Sequence, residues 1–245
     1  MQQIFIKDDP IDGKFRIEGD DAHHLANVVR LKIGEKIRVS TASEESYLCS
    51  VVEVSSTELV VQVEDKMDST ELPCKIYLFQ AIPKGDRMET IIEKCVELGV
   101  TEIIPVEMKN CVVKLDAKKK ASRVSRWQAI ADSAAKQSKR SAKPVVSEVM
   151  SFADAIKRMN ECDIKLAPYE SKNGMEDTKN AFKRIASGNS ISIIIGPEGG
   201  FAPEEIDECS KTMDIISLGK RILRTDTAAI CTLSMLMAYI ETCLE

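Results

Sequence analysis

The chain has no run of apolar residues approaching the roughly 18 that a membrane span needs, and its opening MQQIFIKDD does not read as a secretory signal. A cytosolic protein is therefore expected. Its eight cysteines (Cys49, Cys74, Cys95, Cys111, Cys162, Cys209, Cys231 and Cys243) are never closer than twelve positions. That excludes CxxC and zinc-knuckle spacings, implies no metal site, and leaves reduced thiols acting as small hydrophobes. Internal repeats and low-complexity segments are also missing. So is any phosphate fingerprint, since neither GxGxxG nor a glycine-rich loop ending in Gly-Lys-Ser/Thr occurs at the glycine clusters.

The sequence does hold enough apolar material for a sizeable core: 44% of its 245 residues are apolar and 30% charged, which excludes a disordered chain. The net charge of −5 argues at first against nucleic acid, but it is unevenly spread. Residues 109–143 carry eleven Lys and Arg against Asp116 and Asp132, a local +9, so the remainder carries −14. A basic segment on an acidic body suits a protein with one face turned to a polyanion. Lys114, Arg123, Arg126, Lys139 and Arg140 are the candidates for phosphate contact.

Two grammars follow one another along the chain. Residues 1–72 show short alternating runs (QQIFI, FRIEG, EKIRVS, YLCSVVEVS, ELVVQVED), which predict a small β-barrel or sandwich. One helix interrupts them over Asp20–Leu31, with Asp20 or Asp21 as N-cap. KMDSTELP reads as a linker, placing a domain boundary near residue 72. From 73 to 245 strands alternate with helices, ending in SISIII, a helix from Pro203, DIISL and a long apolar helix from Thr227. That order predicts an α/β domain with a parallel sheet covered on both faces.

Ligands of such sheets bind beyond the carboxyl ends of the strands. SISIII runs into Gly196-Pro197-Glu198-Gly199-Gly200-Phe201, where three glycines let the backbone approach a ligand closely. Glu198 would repel a phosphate, so a neutral or cationic ligand is expected. DIISL runs into Leu218-Gly219-Lys220-Arg221-Ile222-Leu223-Arg224-Thr225-Asp226-Thr227-Ala228. Ile222 and Leu223 are out of place among charges unless they line a pocket or partner, Arg224 stands at the ligand end, and Thr225, Asp226 or Thr227 can cap the next helix.

These two loops resemble the signature of the RsmE family, ribosomal RNA small-subunit methyltransferases of the SPOUT superfamily. His23-His24-Leu25 with Val29-Arg30 is similar to the family's N-terminal element, Lys84–Val100 to the first helix of its catalytic domain, and the Trp127 helix to the segment between. Asp226 departs from the family's usual Glu but keeps the carboxylate. The resemblance implies a PUA-like β-barrel domain over 1–72, with His24 and Arg30 as RNA contacts, and a trefoil-knotted SPOUT domain over 73–245. It implies methylation of uridine N3 in 16S rRNA by S-adenosylmethionine, and a homodimer through the C-terminal domain. Leu166 and Pro168, in a third loop reaching Glu170, would join Gly196, Pro197, Glu198, Gly199, Gly200, Leu218, Gly219, Ile222, Leu223, Thr225 and Ala228 around the cofactor, Ile222 and Ala228 packing on its adenine. Arg224 would stabilise the uracil anion, and Glu198 or Glu170 would take the N3 proton. Residues 1–72 hold eight basic and fifteen acidic side chains, with Arg16, Arg30, Lys32, Lys36 and Arg38 available for one basic face. The competing readings are a SPOUT enzyme acting on another base or a ribose, a non-catalytic RNA-binding protein, and a nucleotide-binding enzyme.

Overall fold

The computed structural model describes every residue except Ser56, Asn173 and Glu245. The chain divides into two compact units, one of Met1–Glu71 with Ala135–Lys143, the other of Leu72–Ala134 with Pro144–Glu245.

In the first unit, strands β1 (Gln2–Ile6), β2 (Lys14–Glu18), β3 (Lys36–Thr41), β4 (Ser46–Val54) and β5 (Glu58–Met67) form one sheet in the order β1-β3-β4-β5-β2. Only the β1–β3 pair is parallel. The alternation in β2 turns Phe15 and Ile17 into a core with Ile4, Ile37, Val39, Cys49, Val51, Leu59 and Val61, while Lys14, Arg16 and Glu18 face out. Two register shifts between β4 and β5 sharpen the local twist.

The helix expected over Asp20–Leu31 is broken. A short α1 (Gly19–His23) passes into a π-helical stretch, His24–Val29, which ends at Arg30 in the left-handed region. Glu18, not Asp20 or Asp21, is its N-cap residue. The two aspartates lie in the first turn, where their charge meets the positive end of the backbone dipole.

Residues 135–143, absent from the boundary read in the sequence, belong to this unit through a buried polar network. Gln3 Nε2 donates to Arg140 O (2.6 Å), Arg38 Nη2 to the hydroxyls of Ser46 (2.9 Å) and Ser141 (3.0 Å), and Thr70 Oγ1 to Lys139 O (2.9 Å). The Arg140 guanidinium meets the Glu71 carboxylate, which also accepts the N–H groups of Ser141 and Ala142. Thr70 and Glu71, read as linker, are thus fixed.

The second unit holds a seven-stranded sheet, parallel throughout, of β6 (Lys75–Ala81), β7 (Glu102–Glu107), β8 (Val145–Val146), β9 (Met150–Ser151), β10 (Ile164–Pro168), β11 (Ser190–Ile195) and β12 (Asp214–Ile216). The order is β12-β10-β11-β6-β7-β8, with β9 also on β7, so VVSEV supplies only a two-residue strand. The run Ile191–Ile195 is buried, as a central strand covered on both faces requires. The helices are α2 (Arg87–Glu97), α3 (Ala117–Ser138), α4 (Phe152–Met159), α5 (Glu176–Phe182), α6 (Pro203–Ser210) and α7 (Thr225–Cys243). Trp127 of α3 is buried. α7 starts two residues before its expected Thr227, with Arg224 at the N-cap position and no side-chain cap, so none of Thr225, Asp226 and Thr227 caps it. It buries Ala229, Thr232, Leu233, Leu236 and Ile240 and leaves Ile230, Cys231, Met235 and Met237 half-buried. Among the described residues no helix is long and apolar enough to cross a membrane.

Candidate functional site

Because the sheet is parallel, the carboxyl ends of its strands share one edge, and β12, β10 and β11 stand side by side there. The segments that follow them enclose a cavity of about 590 Å³, within the usual range for a cofactor site. After β10 come Tyr169 and Glu170, with Pro168 as the last strand residue; after β11 come Gly196–Phe201; after β12 come Leu218–Thr225, with Ala228 from the first turn of α7.

Every cofactor-contact candidate except Leu166 lines this cavity. Leu166 is fully buried in mid-strand, paired with Ile193 and Asp214, and its side chain belongs to the core; on this strand the cavity lining begins at Pro168. The glycines matter through two backbone requirements. A Cβ on Gly196 would stand 3.0 Å from the Phe201 ring, which itself meets Tyr169 edge-on, and Gly200 sits at φ +70°. The turn is closed by Gly200 N–H donating to Pro197 O at 2.9 Å.

Thr225 lines the cavity but its hydroxyl is already committed. It donates to Gly196 O at 2.7 Å and accepts from Gln80 Nε2 at 3.0 Å, tying the start of α7 to the glycine loop and to β6. With its proton and one lone pair used inside the protein, the hydroxyl braces the scaffold, while Thr225 remains part of the cavity lining. Ile222, expected to pack against an adenine ring, is 82% exposed at the cavity rim.

The two carboxylates differ. Glu198 is ion-paired with Arg87 and accepts the Lys84 N–H at 3.0 Å. Burial alone would raise its pKa, but these partners and its own N–H hold it below the usual carboxylate value. A carboxylate so stabilised is a weakened base, so the expectation of Glu198 as proton acceptor is not what its surroundings favour. Glu170 lies across the loop, with Oε1 3.4 Å from where a Gly200 Cβ would be.

Lys220, Arg221 and Arg224 also line the cavity; they are exposed, and among the described residues none has a carboxylate partner. Most other basic side chains around this unit are paired, as Arg158 is to Glu102 (2.6 Å), Lys120 to Glu107 (2.6 Å) and Lys172 to Asp177 (2.7 Å). The cavity lining thus combines glycine backbone, the Arg87–Glu198 ion pair, Glu170 and three cations without a carboxylate partner among the described residues.

The remaining phosphate-contact candidates fare unequally. His24 and Arg30 are exposed in the first unit, and Lys114 is exposed in the second. Arg123 is half-buried on α3, and Arg126 is exposed while pairing with Glu89 at 2.6 Å. Arg140 is buried against Glu71 and cannot reach a phosphate, and Lys139 Nζ is turned onto the carbonyls of Met1 (3.0 Å) and Lys136 (3.1 Å). Arg140 is therefore structural, while Lys139 is half-buried. The expected basic face of the first unit is similarly reduced: Arg38 is buried, Arg16 pairs with Glu58 and Lys36 with Glu64.

Sequence reasoning missed Gln80, Arg87 and Asn110. Gln80 and Arg87 flank the carboxyl end of β6 and Asn110 follows that of β7, where the strand-end rule could have found all three.

Comparison with known proteins agrees with this geometry. A model of the RNA methyltransferase domain matches residues 70–237, and one of the RNA methyltransferase PUA domain matches 17–64. The chain is 36% identical over 233 residues to ribosomal RNA small subunit methyltransferase E of Bacillus subtilis (strain 168), covering 93% of this chain and 91% of that protein. The crystal structure of ribosomal RNA small subunit methyltransferase E from Neisseria gonorrhoeae, bound to S-adenosyl methionine, superposes with a TM-score of 0.83 at 28% identity, covering 97% of each chain. With the catalytic-domain model spanning more than half of its length and a relative of this identity along nearly all of it, the chain belongs to the ribosomal RNA small subunit methyltransferase E family.

Proposed function

We propose that this chain transfers the methyl group of S-adenosylmethionine to N3 of a uridine in 16S rRNA. The observation that carries the proposal is the cavity at the strand ends, whose lining gathers glycine backbone, Glu170 and the cations Lys220, Arg221 and Arg224, which have no carboxylate partner among the described residues. The residues fit the cofactor. Backbone of Gly196, Gly199 and Gly200 lines the cavity, and Glu170, without an ion-pair partner among the described residues, suits a cationic ligand where it would repel a pyrophosphate.

When bound, the cofactor supplies an electrophilic methyl group, and the protein supplies position and electrostatics. Backbone groups of Gly196, Gly199, Gly200, Leu218 and Leu223 hold the cofactor, and Ala228 packs against it. Uracil N3 is a poor nucleophile until its proton leaves. Arg224, exposed at the N-terminus of α7, stabilises the uracil anion; its guanidinium is too weak an acid to serve as a base in its own right. Glu170, which has no ion-pair partner among the described residues, accepts the proton.

Lys220 and Arg221 hold RNA phosphates, assisted by Lys114, Arg123 and Arg126, while the PUA-like domain of residues 1–72 contributes His24 and Arg30. The catalytic domain takes the SPOUT trefoil knot of its family, and the half-buried face of α7 pairs two copies into a homodimer. The protein works in the cytoplasm, where ribosomal RNA is the substrate.

Calorimetry with S-adenosylmethionine and with ATP tests the cofactor assignment: binding of the first alone is expected, and binding of ATP alone would refute it. Arg224→Ala is expected to lower kcat about 10²–10³-fold with cofactor affinity unchanged. Normal turnover in that variant removes Arg224 from the mechanism. Mass spectrometry of 16S rRNA from cells lacking the protein identifies the base.

A further inference from the structure

The loop that should hold the cofactor is gripped by two side chains, Asn110 from outside the cavity lining and Arg87 from within it. Asn110, on the turn after β7, donates Nδ2 to Gly199 O at 3.2 Å and to Gly200 O at 3.1 Å. The approach is close, since a Cβ placed on Gly199 would lie 3.1 Å from Asn110 Cβ. Arg87, in the first turn of α2, binds the Glu198 carboxylate, which the Lys84 N–H also engages. One grip comes from the carboxyl end of β6 and the other from that of β7, so three consecutive residues of the loop are each held by a neighbouring strand end.

Such support is needed here. A segment with three glycines in five positions has much conformational freedom to lose, yet a backbone that binds a ligand through its own N–H and C=O groups must be fixed to within about 0.5 Å. The positions of the two side chains argue against a role in global stability. Arg87 is about one third exposed, with its side chain at 36%, and Asn110 is half-buried on a turn. Bonds so placed add little to unfolding free energy, whereas all of their reach falls on one loop.

We infer that Asn110 and Arg87 are positioning residues that hold Glu198, Gly199 and Gly200 in the form that receives the cofactor. The inference rests on the reading of the cavity as an S-adenosylmethionine site. Asn110 stands outside the cavity lining and Arg87 acts through its pair with Glu198; each lowers the ordering cost that binding would otherwise carry.

Calorimetric titration of the full-length protein with S-adenosylmethionine provides the test, with melting temperatures measured in parallel. Asn110→Ala and Arg87→Ala are each expected to weaken binding about tenfold, a change equivalent to one factor of ten in Kd, with melting temperatures within about 2 °C of the parent, the small shift of a surface substitution. Asn110→Asp is the sharper variant. It keeps the shape but is acceptor-only when ionised, so it turns a carboxylate toward two carbonyl oxygens and should bind more weakly than the alanine variant. Arg87→Lys keeps the charge and should recover part of the loss. In turnover assays Asn110→Asp should raise KM for the cofactor and spare kcat at saturation. If the parent binds and Asn110→Asp binds equally well, the inference fails alone. Losses of affinity that track losses of melting temperature would also overturn it, by showing a merely structural role. A parent protein that does not bind S-adenosylmethionine overturns the cavity assignment, and the inference with it.

Discussion

Replacing Arg140 by alanine separates a phosphate-binding arginine from a structural one. The guanidinium donates Nε to both Glu71 oxygens at 2.9 Å and adds an Nη2 bond, with the two side chains only 4% and 13% exposed. Removing one partner of a buried pair costs about 3–5 kcal/mol, because the other charge stays buried. Here the orphaned carboxylate keeps the N–H groups of Ser141 (2.8 Å) and Ala142 (3.0 Å), so the lower end, about 3 kcal/mol, applies. At about 4–8 °C per kcal/mol for a unit of this size, its melting should fall by about 12–24 °C. The chain divides into two units, so each transition must be followed separately. Far-UV circular dichroism sees both, and Trp127 fluorescence reports the catalytic unit. The expected result is a lowered transition for the N-terminal unit while the Trp127 transition stays in place. An unchanged melting profile combined with weaker RNA binding would refute the reasoning and return Arg140 to the RNA surface.

Three further outcomes follow from the same geometry. Thr225→Val removes a donor from Gly196 O and an acceptor from Gln80, which should cost about 1–3 kcal/mol in urea unfolding and weaken cofactor binding, while Thr225→Ser should restore both. Joint replacement of Arg123 and Arg126 by alanine should leave melting unchanged and flatten the salt dependence of RNA binding, by about 0.7–0.9 in slope for each phosphate no longer neutralised; an unchanged slope would place the RNA elsewhere. Acidification should act through Glu71. Burial raises its pKa, but Arg140 and the N–H groups of Ala142 and Ser141 outweigh that and hold it below the ordinary value. Its contribution is therefore complete above about pH 4.3 and is lost as pH falls through the depressed folded-state value. The N-terminal unit should lose stability in that window more steeply than in a Glu71→Gln variant, and equal slopes would exclude Glu71 as the titrating group.

What could be read from the sequence was whatever periodicity and strand-end logic control. The alternation in KFRIE set the inward face of β2, and the βα order from Lys75 onward placed Gly196–Phe201 and Leu218–Ala228 at one sheet edge. Composition was a weaker guide. The +9 segment mixes cations that face solvent with Lys139 and Arg140, which belong to a buried network, and charge counting cannot tell these apart because burial is decided by Glu71, some seventy positions away in the chain. The same limit hid the scaffold of the site. Glu198 looked like a base in an open loop, and its partners Lys84 and Arg87, in the segment after β6 and the start of α2, make it an anchor. Parallel pairing explains this division. It brings the ends of β6 and β7 beside those of β10, β11 and β12, so chemistry that looks local to one loop is set by side chains about ninety to one hundred and ten positions earlier. The loop supplies the ligand-facing backbone, and its neighbours decide what shape that backbone keeps.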